Sequence, residues 1–166
     1  VNFDLKSQNK LKITAKNSKF NLLCLPTDDF PNFSDKFQEK TFELNGKKFL
    51  SLLNKTKISM SNDDTRHYLN GIFIHATASN KNAYLTGVAT DTHRLSSSSI
   101  QMKNIENFKP FILPKKTVFQ LSNLLQESNE NLSICIGETK IQFKIGDSTL
   151  VSKVIDGKFP DYEKVI

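Results

Sequence analysis

Between residues 40 and 155 one order of short patterns runs twice. Phe42 and Leu44 alternate with polar neighbours as a short strand, and Asn45 and Gly46 supply a helix cap and a turn. Phe49, Leu50 and Leu53 follow at helical spacing, with Lys47, Ser51 and Lys55 on the opposite face, and the helix is predicted to end by Ser59. Three strands are predicted over 68–76, 83–89 and 93–100, with a turn at Asn80, Lys81 and Asn82 between the first two. Phe111, Ile112 and Leu113 then restart the cycle. Pro114 opens a second helix, where its fixed φ and missing N–H cost little. That helix has an apolar face of Val118, Leu121 and Leu125 and a polar face of Lys116, Gln120 and Asn123. Leu132, Ile134 and Ile136, then Ile141, Phe143 and Ile145, then Leu150, Ser152 and Val154 make three more strands, with turns at Gly137-Glu138 and Gly146-Asp147. The reading is a strand-rich α+β domain of two strand–helix–three-strand units.

A longer repeat sets the domain organisation. Lys10-Leu11-Lys12-Ile13 through Phe30-Pro31 resembles Lys140-Ile141-Gln142-Phe143 through Phe159-Pro160, with one residue of slippage in the spacing. Each copy runs strand, tight turn, strand, acidic loop and Phe-Pro. In the first copy Leu11, Ile13 and Ala15 alternate before Asn17-Ser18, Phe20, Leu22 and Cys24 alternate after it, and Pro26 ends the ladder. Residues 1–34 are therefore read as the closing part of a domain whose complete copy is 40–161, with 35–39 as a linker and 162–166 as the start of a further connection. A start on Val1 rather than Met agrees with a piece of something longer.

The 166 residues suit one domain and part of another. A hydrophobic fraction of 37%, with thirteen Phe, can fill a core. The net charge of +6 favours a polyanionic partner, but no block of six basic residues occurs, so any nucleic-acid surface must be assembled by folding. Cys24 and Cys135 sit in apolar strand patterns and are read as two reduced, buried thiols. No Cys/His spacing suggests zinc and no glycine-rich loop suggests a nucleotide, so no metal or cofactor is expected. No apolar run approaches the ~20 residues that cross a bilayer, and no membrane partner is expected.

Three constellations could carry function. Lys47 and Lys48 open one helix and Lys115 and Lys116 the other, at the pole that disfavours cations. They read either as solvated helix turns or as matched phosphate contacts. Arg66 and His67, in the polar stretch before Tyr68, read either as a solvated loop or as backbone contacts. Asp91 and His93 would share a face in a strand, with Ser96 to Ser99 close by, but the nucleophile turn and oxyanion donors of a hydrolase are missing. A metal at Asp91 and His93 would need Asp63 or Asp64 as well. The favoured role for Asp91 is to hold its turn by accepting backbone N–H bonds.

The stretches Arg66-His67-Tyr68-Leu69-Asn70-Gly71, Val88-Ala89-Thr90-Asp91-Thr92-His93-Arg94-Leu95 and Val154-Ile155-Asp156-Gly157-Lys158-Phe159-Pro160-Asp161-Tyr162 together resemble the bacterial DNA polymerase III beta subunit family, the sliding clamps. Leu25-Pro26 and Asp29-Phe30-Pro31 fit the end of that family's first domain, and the resemblance covers nearly the whole chain. It implies a non-catalytic DNA clamp fold in which two helices per domain pack on antiparallel sheets. Full-length subunits would close head to tail as a homodimer ring around double-stranded DNA, in the cytoplasm at the nucleoid. Replicative polymerase, clamp loader and repair proteins would dock short linear motifs in a hydrophobic pocket. By this resemblance the pocket wall is Leu69, Thr90, Thr92, His93, Arg94, Leu95, Pro160, Lys164 and Val165, completed by a third domain. Thr92 stands where Gly is common and Lys164 where Arg is frequent. DNA contacts would come from Arg66, His67, Tyr68 and Lys116, with His67 in place of a common Tyr. Phe20 and Leu22 would line a subunit boundary, and this chain by itself is expected to be monomeric or to pair through its hairpin edge. The remaining alternatives are a stand-alone peptide-binding module and the Asp-His-Ser hydrolase.

Overall fold

The computed structural model describes residues 1–7, 9–30, 37, 41–79, 82–103 and 105–166. The chain divides into two compact units, Val1–Ser34 and Asp35–Ile166. The linker expected over 35–39 and the turn at Asn80-Lys81 lie outside the described residues, apart from Phe37.

In the first unit β1 (Asn2–Ser7), β2 (Lys10–Ala15) and β3 (Ser18–Leu23) form one antiparallel sheet in that order. The sequence reading passed over β1, although Val1, Phe3 and Leu5 alternate with polar residues. Register aligns Phe3, Ile13 and Phe20 in one row and Leu5, Leu11 and Leu22 in the next. One face is therefore apolar, and Phe20 and Leu22 stand 55% and 46% exposed on it.

The second unit runs β4 (Thr41–Asn45), α1 (Gly46–Thr56), β5 (Gly71–Ser79), β6 (Asn82–Thr90), β7 (Leu95–Met102), β8 (Phe111–Pro114), α2 (Lys115–Glu127), β9 (Asn131–Ile136), β10 (Lys140–Ile145) and β11 (Ser148–Lys153). Strand–helix–three-strand order thus occurs twice, as the sequence implied. The sheets are ordered β11-β10-β9-β4 and β7-β6-β5-β8. Each unit's leading strand is lodged in the other's sheet: β4 pairs with β9 and β8 with β5. Period-two alternation explains the pairing. Phe42 and Leu44 on β4 and Leu132, Ile134 and Ile136 on β9 face one core, and this set is buried only when the two edges meet.

The β10–β11 hairpin repeats β2–β3 at an offset of 130 residues, Lys140↔Lys153 to Ile145↔Ser148 against Lys10↔Leu23 to Ala15↔Ser18. The left-handed turn position is Gly146 (φ 54°) in one copy and Lys16 (φ 45°) in the other. The same bond closes both copies, Val154 N to Thr139 O at 3.0 Å and Cys24 N to Asn9 O at 2.9 Å.

α1 buries Phe49, Leu52 and Leu53, and α2 buries Val118, Leu121 and Leu125, all into the core shared by both sheets. Gly87 on β6 permits this contact, because a Cβ there would stand 2.5 Å from Leu52 Cδ2. Four expectations are corrected. Tyr68 belongs to a 3-10 helix, Asp64–Leu69, and not to β5, and His93 lies in the turn before β7. Pro114 caps α2 from outside its first turn, with extended ψ 145°. Cys24 and Cys135 are only partly buried; on β9 the two-residue period turns Cys135 off the core face. Among the described residues no helix is long and apolar enough to cross a membrane.

Candidate functional site

The two helices lie antiparallel. The start of α1 abuts the end of α2, where Leu125 Cδ2 comes within 3.2 Å of a Cβ position on Gly46. At the other end the Lys57 ammonium sits 5.7 Å from the centre of the Phe119 ring. Lys47 and Lys48 are therefore at one end of the helix pair and Lys115 and Lys116 at the other, about 15 Å apart for helices of this length. Lys47, Lys48 and Lys116 are exposed, while Lys115 is partly covered and donates from its ammonium to Asn62. Asn45 caps α1 by accepting from Lys48 N at 3.1 Å. The two helices carry five lysines, Lys47, Lys48, Lys55, Lys115 and Lys116, and one carboxylate, Glu127.

The sheet β7-β6-β5-β8 is covered on both faces. Ile72, Ile74, Leu85 and Leu113 point to the core under the helices. Val88 and Ile112 point the other way into a second cluster with Leu69, Phe159 and Tyr162, flanked by Tyr68, Phe73, Leu95 and Ile155. Three segments converge on it: the 3-10 helix Asp64–Leu69, the turn from β6 to β7, and a tail after β11 that ends in a 3-10 turn, Tyr162–Val165.

The β6–β7 turn is held by its own polar groups. Asp91 Oδ1 accepts from His93 N and Arg94 N, both at 3.1 Å, and Oδ2 accepts from Arg94 Nε at 2.9 Å. Partial burial pushes the Asp91 carboxyl up, but these bonds and the Arg94 charge outweigh it and hold it below the usual range. Thr90 Oγ1 donates to Arg94 O at 2.7 Å and accepts from Thr92 N at 3.1 Å. Thr92 sits at φ 78°, a strained conformation for a β-branched residue. Its hydroxyl accepts from Arg66 Nη1 at 3.3 Å, which ties the turn to the 3-10 helix. Arg66 Nε also donates to Asp63 at 2.8 Å. The Thr65 hydroxyl, Arg66 and the Thr65 backbone N–H lower the Asp63 carboxyl to about 2.

The tail is pinned at its start by His67 Nε2, 3.1 Å from Asp156 O. Gly157, at φ 158°, passes so close to Tyr68 that a Cβ would meet Tyr68 Cβ at 3.0 Å. Pro160, Lys164 and Val165 are exposed beyond it, and Lys164 pairs with Asp161 at 2.8 Å.

The structure thus gathers Leu69, Thr90, Thr92, His93, Arg94, Leu95 and the tail around one outer-face cluster. Leu69, expected in an accessible wall, is 1% exposed and forms the floor. Arg66 bonds Thr92 of the turn, and His67 and Tyr68 lie against Asp156 and Gly157 at the start of the tail. The hydrolase reading fails: Asp91 is committed to its turn, Ser96 bonds Ser59 at 2.7 Å, and Ser99 bonds Thr86 at 2.8 Å. Among the described residues no group of three His, Cys, Asp or Glu could hold a metal. Sequence reasoning missed Phe73, His75 and Tyr162. The alternation of Phe73 and His75 with Ile72 and Ile74 placed them off the core and could have flagged them.

This architecture is shared with solved bacterial sliding clamps. The chain matches the Bartonella birtlesii sliding clamp bound to griselimycin with TM-score 0.88 at 36% identity, over 95% of this chain and 42% of that one. It matches a Caulobacter crescentus beta sliding clamp with TM-score 0.90 at 34% identity, over 99% and 44%. Among curated relatives, the beta sliding clamps of Caulobacter vibrioides and Rickettsia bellii are 34% and 37% identical, over 95% and 94% of this chain. A family model of the DNA polymerase III beta subunit, central domain, matches residues 43–161, and the chain belongs to that family. It spans 42% and 41% of the lengths of those two relatives.

Proposed function

We propose that this chain is the end of a first domain and the whole central domain of a bacterial DNA sliding clamp subunit. The complete protein closes as a homodimer ring around duplex DNA in the cytoplasm and catalyses nothing. The observation that carries this reading is the helix pair, with five lysines against one carboxylate at its two ends and along its exposed face. A duplex threading past such a layer meets cations spread along its backbone but no base-reading element, which favours weak, salt-sensitive contact and sliding. Closure of the ring, not affinity, retains the DNA. Phe20 and Leu22 fit a subunit boundary because they lie on an apolar sheet face.

The outer-face cluster is proposed to take short linear motifs of the polymerase, clamp loader and repair proteins. An apolar floor of Leu69 and Leu95 edged by Thr90, Thr92, His93, Arg94, Pro160, Lys164 and Val165 suits a peptide with hydrophobic anchors. Tethering a polymerase there raises its local concentration at the primer end. The test is to load the full-length protein on nicked circular DNA and then linearise the circle. Retention before cutting and loss afterwards is expected. Equal retention on both forms refutes encirclement and leaves a peptide-binding module.

A further inference from the structure

We infer that His75 and Tyr162 are positioning residues for the outer-face site: together they latch the tail that carries Pro160, Lys164 and Val165 onto the sheet. The inference rests on the peptide-binding reading of that site.

The argument starts from what holds the tail. From Lys158 onward it has no strand ladder to the sheet, so side chains must fix it. Phe159 stacks on Phe73, with centroids 5.0 Å apart and planes 9° from parallel. Phe73 stacks in turn on His75, at 4.7 Å and 17°. Tyr162 meets the His75 ring edge-on at 5.6 Å, and its hydroxyl lies 2.8 Å from His75 Nε2. Stacked rings slide at little cost, whereas a hydrogen bond to a half-buried imidazole selects one position. The ring stack thus supplies contact area, and the His75–Tyr162 bond sets the register. Two and three residues beyond Tyr162 come Lys164 and Val165. A tail free to slip would carry one side of the site with it. The pin between His67 and Asp156 holds only the start of the tail and does not fix this end.

Burial lowers the His75 pKa and so favours the neutral ring, in which one nitrogen can accept from the phenol. The titratable groups of the tail that act on it are Tyr162 and Glu163.

The test uses the full-length protein with Tyr162→Phe, His75→Phe and both together. All three keep aromatic rings at these places; Tyr162→Phe removes only the hydroxyl, and His75→Phe removes the imidazole nitrogens and enlarges the ring. Backbone amide exchange over 159–165 reports docking of the tail, and a fluorescein-labelled decapeptide with Leu and Phe anchors reports binding by anisotropy. Each single variant is expected to speed exchange and weaken the peptide by about fivefold to tenfold, as for one lost buried hydrogen bond. The double variant should be no worse than either single, because both remove the same bond. The urea midpoint should hardly move, since the main core is untouched. Peptide affinity within twofold of wild type in both single variants would overturn the positioning role alone. Full-length wild-type protein that does not bind the peptide would overturn the reading of the site, and the inference with it.

Discussion

Leu69→Ala separates a floor from a wall. An exposed pocket residue could be truncated with little loss of stability, and so could even be exchanged for Asp. Leu69 is instead 1% exposed, packed with Val88, Ile112, Phe159 and Tyr162. Truncating a buried Leu removes transfer free energy and leaves a cavity, together about 3 kcal/mol, in a range of roughly 2–5. The cluster holds the tail, which can partly collapse into the gap, so the lower half of that range is expected. With a urea slope of about 1.5 kcal/mol per molar for a domain of this size, the midpoint should fall by roughly 1.5–2 M. Leu69→Asp adds the cost of an unpaired buried carboxylate and should leave the outer site unfolded. Urea unfolding followed by tyrosine fluorescence, with amide exchange over 159–165, measures both. A midpoint shift below about 0.5 M for Leu69→Ala would show that Leu69 is accessible, and the burial argument would be wrong.

Arg94→Ala should behave oppositely. Its side chain is 63% exposed, so stability should change by less than about 1 kcal/mol, while peptide titration should show weakened binding. Lys48→Glu with Lys116→Glu in the full-length protein should lower DNA affinity at low salt and flatten the log–log salt dependence by about two units; an unchanged slope refutes the helix layer as the DNA face. Asp63, held at about 2, contributes stability that is present above its unfolded value near 3.8 and is lost as pH falls through 2. Asp63→Asn should therefore narrow its stability difference from wild type between pH 5 and pH 2, and a constant difference across that window counts against the assigned bonds. His75 runs in the same sense at higher pH. Its lowered pKa disfavours the docked tail as pH drops below 6.5, so the protection factors of amides over 159–165, taken relative to intrinsic exchange, should fall between pH 7.5 and 5.5.

Much of the fold was written in local pattern. Alternation at 42–44, 132–136 and 141–145 and the helical spacing of Phe49, Val118 and Leu121 specify strands and helices, because a side chain's direction follows from the backbone period alone. The role of Asp91 was legible for the same reason, since its partners are two and three residues away. The family motifs also named the residues that collect around the outer site. Leu69 was not legible as a floor, because its immediate neighbours are polar and its burial comes from Ile112 and Phe159, far along the chain.

What the tertiary structure alone decided is how the two halves share one core. Nothing local tells β4 to leave its own unit and pair with β9, or β8 to pair with β5; each edge is satisfied only when both apolar faces close over the same helices. The antiparallel set of those helices, which sends matched lysines to opposite ends, has the same origin. Period and charge are properties of a segment, whereas the partner that buries it is chosen by the whole chain at once.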